Sequence, residues 1–270
     1  MGRLKFNALV GAALVILPSA GALAADIPEM PAPAHVGGGW YLRGHIGMSN
    51  QQVGSLDNVL FAGAPNFRWL DTGGFDAAPI FGIGVGFQVH DHFRVDVTGE
   101  YRGKANFSGL DAYGFTGAPP ESGTNEYTAK KSEWTFLANG YWDFATFSGF
   151  TPYVGAGIGA SLNTISDFRD INVPNGGVAY AATASQWNLA WALHAGIAMQ
   201  VSPNVTLDLG YSYLDLGNAH SGDIIASDGT NAVYNPMYFN HLTSHDLKLA
   251  VRWNFDQASS GGYYPPVVKY

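Results

Sequence analysis

Eight histidines and no cysteine set the limits of metal and nucleophile chemistry in this 270-residue chain. His241 and His245 are four apart, which on a strand is roughly 13 Å, too far for one ion. His90, Asp91 and His92 lie close enough to chelate at a turn, although a solvated turn accounts for the same residues. Ser, His and Asp occur together in AHSGD (219–223), but adjacency does not supply the held geometry of a triad. The glycine runs Gly82, Gly84, Gly86 and Gly155, Gly157, Gly159 raise phosphate binding, which needs a strand, a GxGxxG turn and a helix N-terminus. Nothing helical follows either run. The absence of cysteine rules out a thiol nucleophile, a thiolate metal site and an internal disulfide framework. The chain is expected to be no enzyme and to hold no cofactor or metal.

What remains is charge at a regular spacing. In FRVDVTGEYR (93–102), Phe93, Val95, Val97, Gly99 and Tyr101 alternate with Arg94, Asp96, Thr98, Glu100 and Arg102. Side chains on a strand alternate faces, so the segment has one apolar face and one face with four formal charges. The same two-residue period recurs near 40–49, 80–90, 132–144, 151–162, 187–201, 205–216 and 241–255, with Leu137, Leu214 and Leu216 on the wrong parity.

Export frames this pattern. Arg3 and Lys5 precede an apolar run, and Ala22-Leu23-Ala24 forms a small-x-small cleavage site, so residues 1–24 are predicted to be a secretory signal peptide. The run is shorter than the roughly 20 residues of a spanning helix. Without Arg3 and Lys5 there are 11 basic against 21 acidic residues, a net charge near −10 that excludes a nucleic-acid partner. Thirty-five glycines, 14% aromatics and 13% charged residues describe an all-β chain. Any membrane crossing must be made by strands. The expected domains are a Pro-rich lead at 25–38, a barrel at 39–255 and a tail at 256–270.

Connection lengths give a second signal. Tight turns are predicted near 90–92, 145–150 and 202–204, whereas 50–79, 108–131, 163–186 and 217–240 are polar connections on the order of 25 residues. Long and short connections alternate, so the long ones share one end. With strand directions alternating, Trp40, Phe87, Phe93, Trp142, Phe144, Trp253 and Phe255 fall at the periplasmic height. Phe81, Tyr101, Trp134, Trp187, Tyr211 and Tyr213 fall at the outer one. Two aromatic girdles at two heights mark a transmembrane barrel.

Closure satisfies backbone groups that lipid cannot, and eight strands enclose an interior that side chains fill. The inward set is predicted to include Arg43, His45, Arg94, Asp96, Glu100, Arg102, Lys104, Glu133, Asp143, His194, Asp208, Asp246, Lys248 and Arg252. Both signs are present, and isolated buried ions are costly, so a salt-bridge network is expected. The glycine runs then leave room for long Arg or Tyr side chains from neighbouring strands.

The runs LANGYWDF, FTPYVGAGIGAS, SPNVTLDLGYSYLDLG and SHDLKLAVRWNF resemble strand signatures of the small opacity-porin, OmpA-like and surface-antigen barrels of Gram-negative outer membranes. The resemblance covers residues 38–255. It implies an eight-stranded antiparallel up-and-down barrel with periplasmic termini and extracellular long connections. It also implies a structural or surface-antigen role, with a narrow channel or an adhesin as the other openings. Partners implied are outer-membrane lipid and lipopolysaccharide, an external ligand at the loops, and the insertion machinery, which would read Lys248, Ala250, Trp253 and Phe255. Some such barrels modify lipid A, but the HxSN-type motif of the deacylases is absent. Ser212 stands where the resemblance leads one to expect arginine, implying a differently wired lumen.

Overall fold

The computed structural model of the protein describes residues 39–64, 66–114 and 122–255. The expected signal peptide, the lead and the tail lie outside the described residues. Twelve strands follow in order: β1 (Gly39–Asp57), β2 (Arg68–Phe75), β3 (Ala78–His90), β4 (Phe93–Gly114), β5 (Ser122–Gly123), β6 (Asn125–Asp143), β7 (Phe150–Asn172), β8 (Gly177–Ala181), β9 (Ala184–Ser202), β10 (Val205–His220), β11 (Ile224–Ala226) and β12 (Tyr238–Asn254). Among the described residues no helix is long and apolar enough to cross a membrane.

Strands β1, β3, β4, β6, β7, β9, β10 and β12 form a ring. Each pairs antiparallel with both neighbours, and the β7–β9 pairing joins the ends. A row of opposed residues can be followed around it, through Trp187, Leu162, Trp134, Tyr101, Phe81, Ile46, Leu249 and Leu209 to Ile197. The row returns to β9 ten residues along from Trp187, so the ring has a shear of ten. Stagger of this kind tilts the strands and fixes the diameter of a closed barrel. The eight-stranded antiparallel barrel expected from the two-residue period is therefore the observed fold.

Alternation sorts the two faces. Ile83 is 75% exposed and Val97 58%, whereas Arg102 and Asp246 are fully buried. That inverts the usual distribution in water-soluble proteins, where charge is outside. The tight turns fall where expected, between β3 and β4, β6 and β7, and β9 and β10.

Two expectations need correction. The connections expected as loops over 50–79, 108–131 and 163–186 are largely strand, and the one over 217–240 is strand at its ends and over Ile224–Ala226. Pairing continues to Leu110↔Glu126 on β4 and β6 and to Asp57↔Tyr238 on β1 and β12. β7 has 23 residues, about twice the roughly 9–11 that a bilayer needs. Gly, Asn, Asp and Ser mark these stretches as turns, yet inward apolar residues such as Leu56 and Phe107 continue the two-residue period through them. The second correction is Lys104. Between Arg102↔Glu133 and Ala105↔Lys131, β4 advances three residues against two on β6. Such a bulge exchanges the faces. Lys104 therefore points outward, 56% exposed and 4.0 Å from Asp167, and Ala105 and Phe107 turn inward.

Candidate functional site: the lumen and its outer mouth

The lumen near the short turns is filled with paired charge. Arg43, Arg94, Arg102, Lys131, Lys248 and Arg252 face Asp96, Glu100, Glu133, Asp143, Asp208 and Asp246, all buried. Arg252 binds Asp208 through two nitrogens at 2.8 and 3.0 Å. Arg94 donates to both oxygens of Asp143 at 3.2 and 3.1 Å, and its guanidinium lies 4.0 Å from the ring centre of Tyr141 and 4.8 Å from that of Tyr153. The rings thus cover the face of a cation whose carboxylate occupies one edge. Arg43 reaches Asp96 at 3.3 Å and the Tyr141 hydroxyl at 2.8 Å.

One level further from the turns, Arg102 is a hub. It contacts Asp246 at 2.6 Å, Glu100 at 2.8 Å and Glu133 at 3.2 Å, and donates to Thr135. Lys248 meets Glu100 at 2.7 Å, His45 lies 3.0 Å from the same carboxylate, and Lys131 bonds Glu133 and Gln51. Ser212, in place of an expected arginine, bonds His194 at 2.8 Å, and the other ring nitrogen of His194 meets Asn139. The predicted lumen residues, Lys104 apart, all face the interior, in the Arg102 hub, in the set from Arg43 and Asp96 through Asn139 to His194, and in the pairs Arg94–Asp143 and Arg252–Asp208.

Beside and above the hub the interior changes character, with Leu137 opposite Thr98, nearer the short turns than Glu133. Leu137, Ile165, Leu214 and Leu216 are at most 1% exposed and belong to a contiguous apolar cluster with Phe75, Phe107, Phe168, Met237, Phe239 and Leu242. Phe107 and Phe239 meet edge to face at 5.1 Å. Leu137, Leu214 and Leu216 were the misfits of the parity pattern. They belong to the inner face, where they close the lumen with hydrocarbon.

Beyond this plug the outer ends of the strands form a mouth that sequence reasoning missed. A cavity of about 260 Å³ is lined from all four long connections. The first gives Asn58, Leu60, Phe61, Ala64 and Phe67, and the second Asp111, Tyr113, Asn125 and Tyr127. The third gives Asp170, and the fourth Ile224, Asn235 and Met237. Asn58 clamps the first connection to the fourth by donating to the carbonyls of Asn235 and Pro236 at 2.7 and 3.2 Å. Phe61 and Phe67 stack at 4.1 Å with Trp69 edge-on to both. Asp111 accepts from the Tyr127 hydroxyl at 2.6 Å and from the Asn125 amide at 3.0 Å. Burial and the neighbouring Asp111 push the Asp170 carboxyl up to about 7. Burial, then Asp170 and the bond to Asp111, likewise raise the Tyr127 hydroxyl. The signal that could have found this site is the aromatic and acidic content of connections that polar composition marks as plain loops.

The remaining sequence candidates separate. His245 accepts or donates to the Tyr211 hydroxyl on the outer wall, and His241 is exposed. His92 stacks on Trp142 at the turn. In AHSGD, Ser221 receives the Met237 amide and Asp223 the Asn235 amide, so these residues fasten a connection and form no triad. The glycine runs leave room for Tyr, as expected, and for His and Asn in place of the expected Arg. A Cβ at Gly86 would sit 2.2 Å from Tyr41, one at Gly82 2.2 Å from His45, and one at Gly157 2.1 Å from Asn139. Phe81, Tyr101, Trp134 and Trp187 share one register row on the outer wall. Tyr211 and Tyr213 oppose Leu247 and His245 near that height. Trp40 packs on Phe87 at 5.3 Å near the short turns, where Phe93 opposes Trp142. Phe144, Trp253 and Phe255 are also exposed. Lys248 and Ala250 point inward, Trp253 and Phe255 outward.

Comparison with known proteins agrees with this architecture. An uncharacterized protein of Brucella suis is 31% identical over 210 residues, covering 72% of this chain and 74% of its own. A candidate adhesin of Rickettsia felis is 28% identical over 174 residues, covering 64% of this chain and 72% of its own. The crystal structure of Neisserial surface protein A is 18% identical, with 81% of this chain and 99% of that one covered at a TM-score of 0.42. Residues 10–255 match the outer membrane protein beta-barrel domain. The chain belongs to that family of outer-membrane β-barrels.

Proposed function

We propose that this outer-membrane barrel is a non-enzymatic, non-conducting stalk whose work is done at its outer mouth. In this reading the short turns and both termini are periplasmic, and the long connections stand outside the cell. The two aromatic bands sit at the two interfaces of the bilayer, against lipid and lipopolysaccharide. Lys248, Ala250, Trp253 and Phe255 then serve the insertion machinery.

The observation that carries the proposal is the apolar cluster drawn from every strand of the ring. A pore needs a wetted path, and hydrocarbon packed across the lumen excludes one. Full-length protein in planar bilayers is expected to give a flat current at physiological voltages. Steady single-channel openings would return the protein to the narrow-channel reading.

A role in adhesion is favoured by one further observation. The outer connections expose Leu60, Leu70, Val173, Tyr180 and Tyr234, apolar groups well above the bilayer bands. Exposed apolar groups of this kind mark interaction surfaces, and a relative is a candidate adhesin. Removing residues 173–183 spares the β7–β9 pairing that closes the ring. If adhesion is the role, it is expected to lower binding of expressing cells to host-cell monolayers without loss of surface display.

A further inference from the structure

The chemistry of the mouth cavity selects among ligands. Its floor is buried and mixed: Met237 and Ile224 are apolar, whereas Asp111 is a carboxylate at 1% exposure. Asp111 is held by Tyr127 and Asn125. Asp170 is half-buried, and among the described residues its carboxylate makes neither a hydrogen bond nor an ion pair. Among the described residues no lysine, arginine or histidine lines the cavity. The walls are the rings of Phe61, Phe67, Tyr113 and Tyr127.

Each ordinary class of ligand can be weighed against that lining. An anion or a sulfated sugar would meet two carboxylates and no basic donor. A hard divalent ion needs six to eight oxygens and gains nothing from aromatic walls. A neutral hydrocarbon would fill the walls and leave a desolvated carboxylate without a counter-charge. A cation with an apolar body satisfies both halves, because carboxylates offset its charge and ring faces attract it.

We propose that the mouth cavity binds a compact organic cation, an ammonium group on an aromatic or short aliphatic body, with Asp170 and Asp111 opposing the charge and Phe61, Phe67 and Tyr113 enclosing the body. This rests on the reading of the mouth as the working end of the barrel. The groups that face Asp170 across the cavity are Asp111, Tyr113 and Tyr127, and the raised carboxyl follows from burial beside Asp111. Binding of a cation therefore requires Asp170 to give up its proton. With a carboxyl near 7, affinity is expected to rise about tenfold from pH 6 to pH 8.

The test uses folded, full-length protein in maltoside micelles, with benzyltrimethylammonium as the probe, followed by calorimetry. One saturable site is expected, weaker about tenfold at pH 6 than at pH 8. Asp170→Asn should lower affinity at pH 8 about tenfold and abolish the pH dependence, and Phe61→Ala should weaken binding at both pH values. Each variant counts only if it shows the heat-dependent gel shift of a closed barrel. Competition by dihexanoylphosphatidylcholine assigns the ammonium to a choline headgroup, and lack of competition assigns it to a free cation; both support the proposal. Absence of saturable binding up to roughly 10 mM probe, equal binding by neutral neopentylbenzene, or an unchanged Asp170→Asn variant overturns it. A conducting protein would instead overturn the underlying reading, whatever the cation does.

Discussion

The two halves of the barrel interior are filled by opposite chemistry. Toward the short turns, six cations and six carboxylates pack around Tyr41, Tyr141 and Tyr153. Toward the mouth, Phe75, Phe107, Phe239 and seven leucines or isoleucines do the same job with hydrocarbon. The wall around both halves is the same ring of strands, so the difference lies in what surrounds that wall. The charged half is encircled by the expected lipid-facing bands. In the proposed orientation most of the apolar half, from Leu56, Phe107 and Phe239, belongs to strand that continues beyond them and packs like an ordinary soluble core, while Leu137 reaches back below the Trp134 row. A barrel in lipid cannot place its hydrophobic effect inside, because its outer face is already apolar. It specifies its interior with directed pairs instead.

That contrast is sharpest at Arg102. Its replacement by alanine leaves Glu100, Glu133 and Asp246 buried around a void, and breaking a buried pair costs about 3–5 kcal/mol. We expect the largest loss here, read as the urea midpoint of reversible unfolding in lipid. Replacing Arg252 and Asp208 together by leucine should cost far less than removing Arg252 alone, since no orphan charge remains. Equal losses for the single and double variants would break the distinction between the halves.

In the apolar half, Phe107→Ala removes a ring that is 2% exposed and packed on Phe75 and Phe239. Large-to-small changes of this kind cost about 3 kcal/mol or more through lost transfer and a residual cavity. Here no partner substitution restores stability, whereas refilling with leucine does so in part. On the lipid face, Val97→Arg is expected to cost about 2–3 kcal/mol near the bilayer midplane. The same change at Val173, exposed and outside the bands, should cost much less. A comparable cost at both sites would misplace the bilayer.

How much of this was legible follows from which signals are local. The two-residue period of Phe93–Arg102 gave the faces because it depends on no contact across the chain, whereas alternating strand direction gave the expectation that Phe81, Tyr101, Trp134 and Trp187 share a height, and the register sets them in one row. Lys104 was misassigned because one extra residue at a bulge exchanges all faces after it, and no residue type announces the insertion. Leu137, Leu214 and Leu216 did announce the plug, but as exceptions to a parity rule rather than as a core. The mouth was illegible because Asn58, Asp111, Asp170 and Met237 come from four connections and meet only through tertiary pairing.

The smallest expected effect separates the halves by pH. The Asp170 carboxyl lies near 7 in the folded mouth, against about 3.9 for an unfolded aspartate. The folded state therefore binds the proton more tightly, so this group favours folding most at pH below about 4. Its contribution is lost as pH rises through 7. With solvent screening at a half-buried site, the difference is on the order of 1 kcal/mol. Amide exchange along 166–172 should report it as faster opening at pH 8 than at pH 5, after correction for intrinsic rates. Asp170→Asn should flatten that dependence, while the amides of β10 beside Asp208 serve as the internal reference. An unchanged slope in the variant would move the proton uptake away from Asp170, and the acidic character of the mouth would then have to be carried by Asp111 alone.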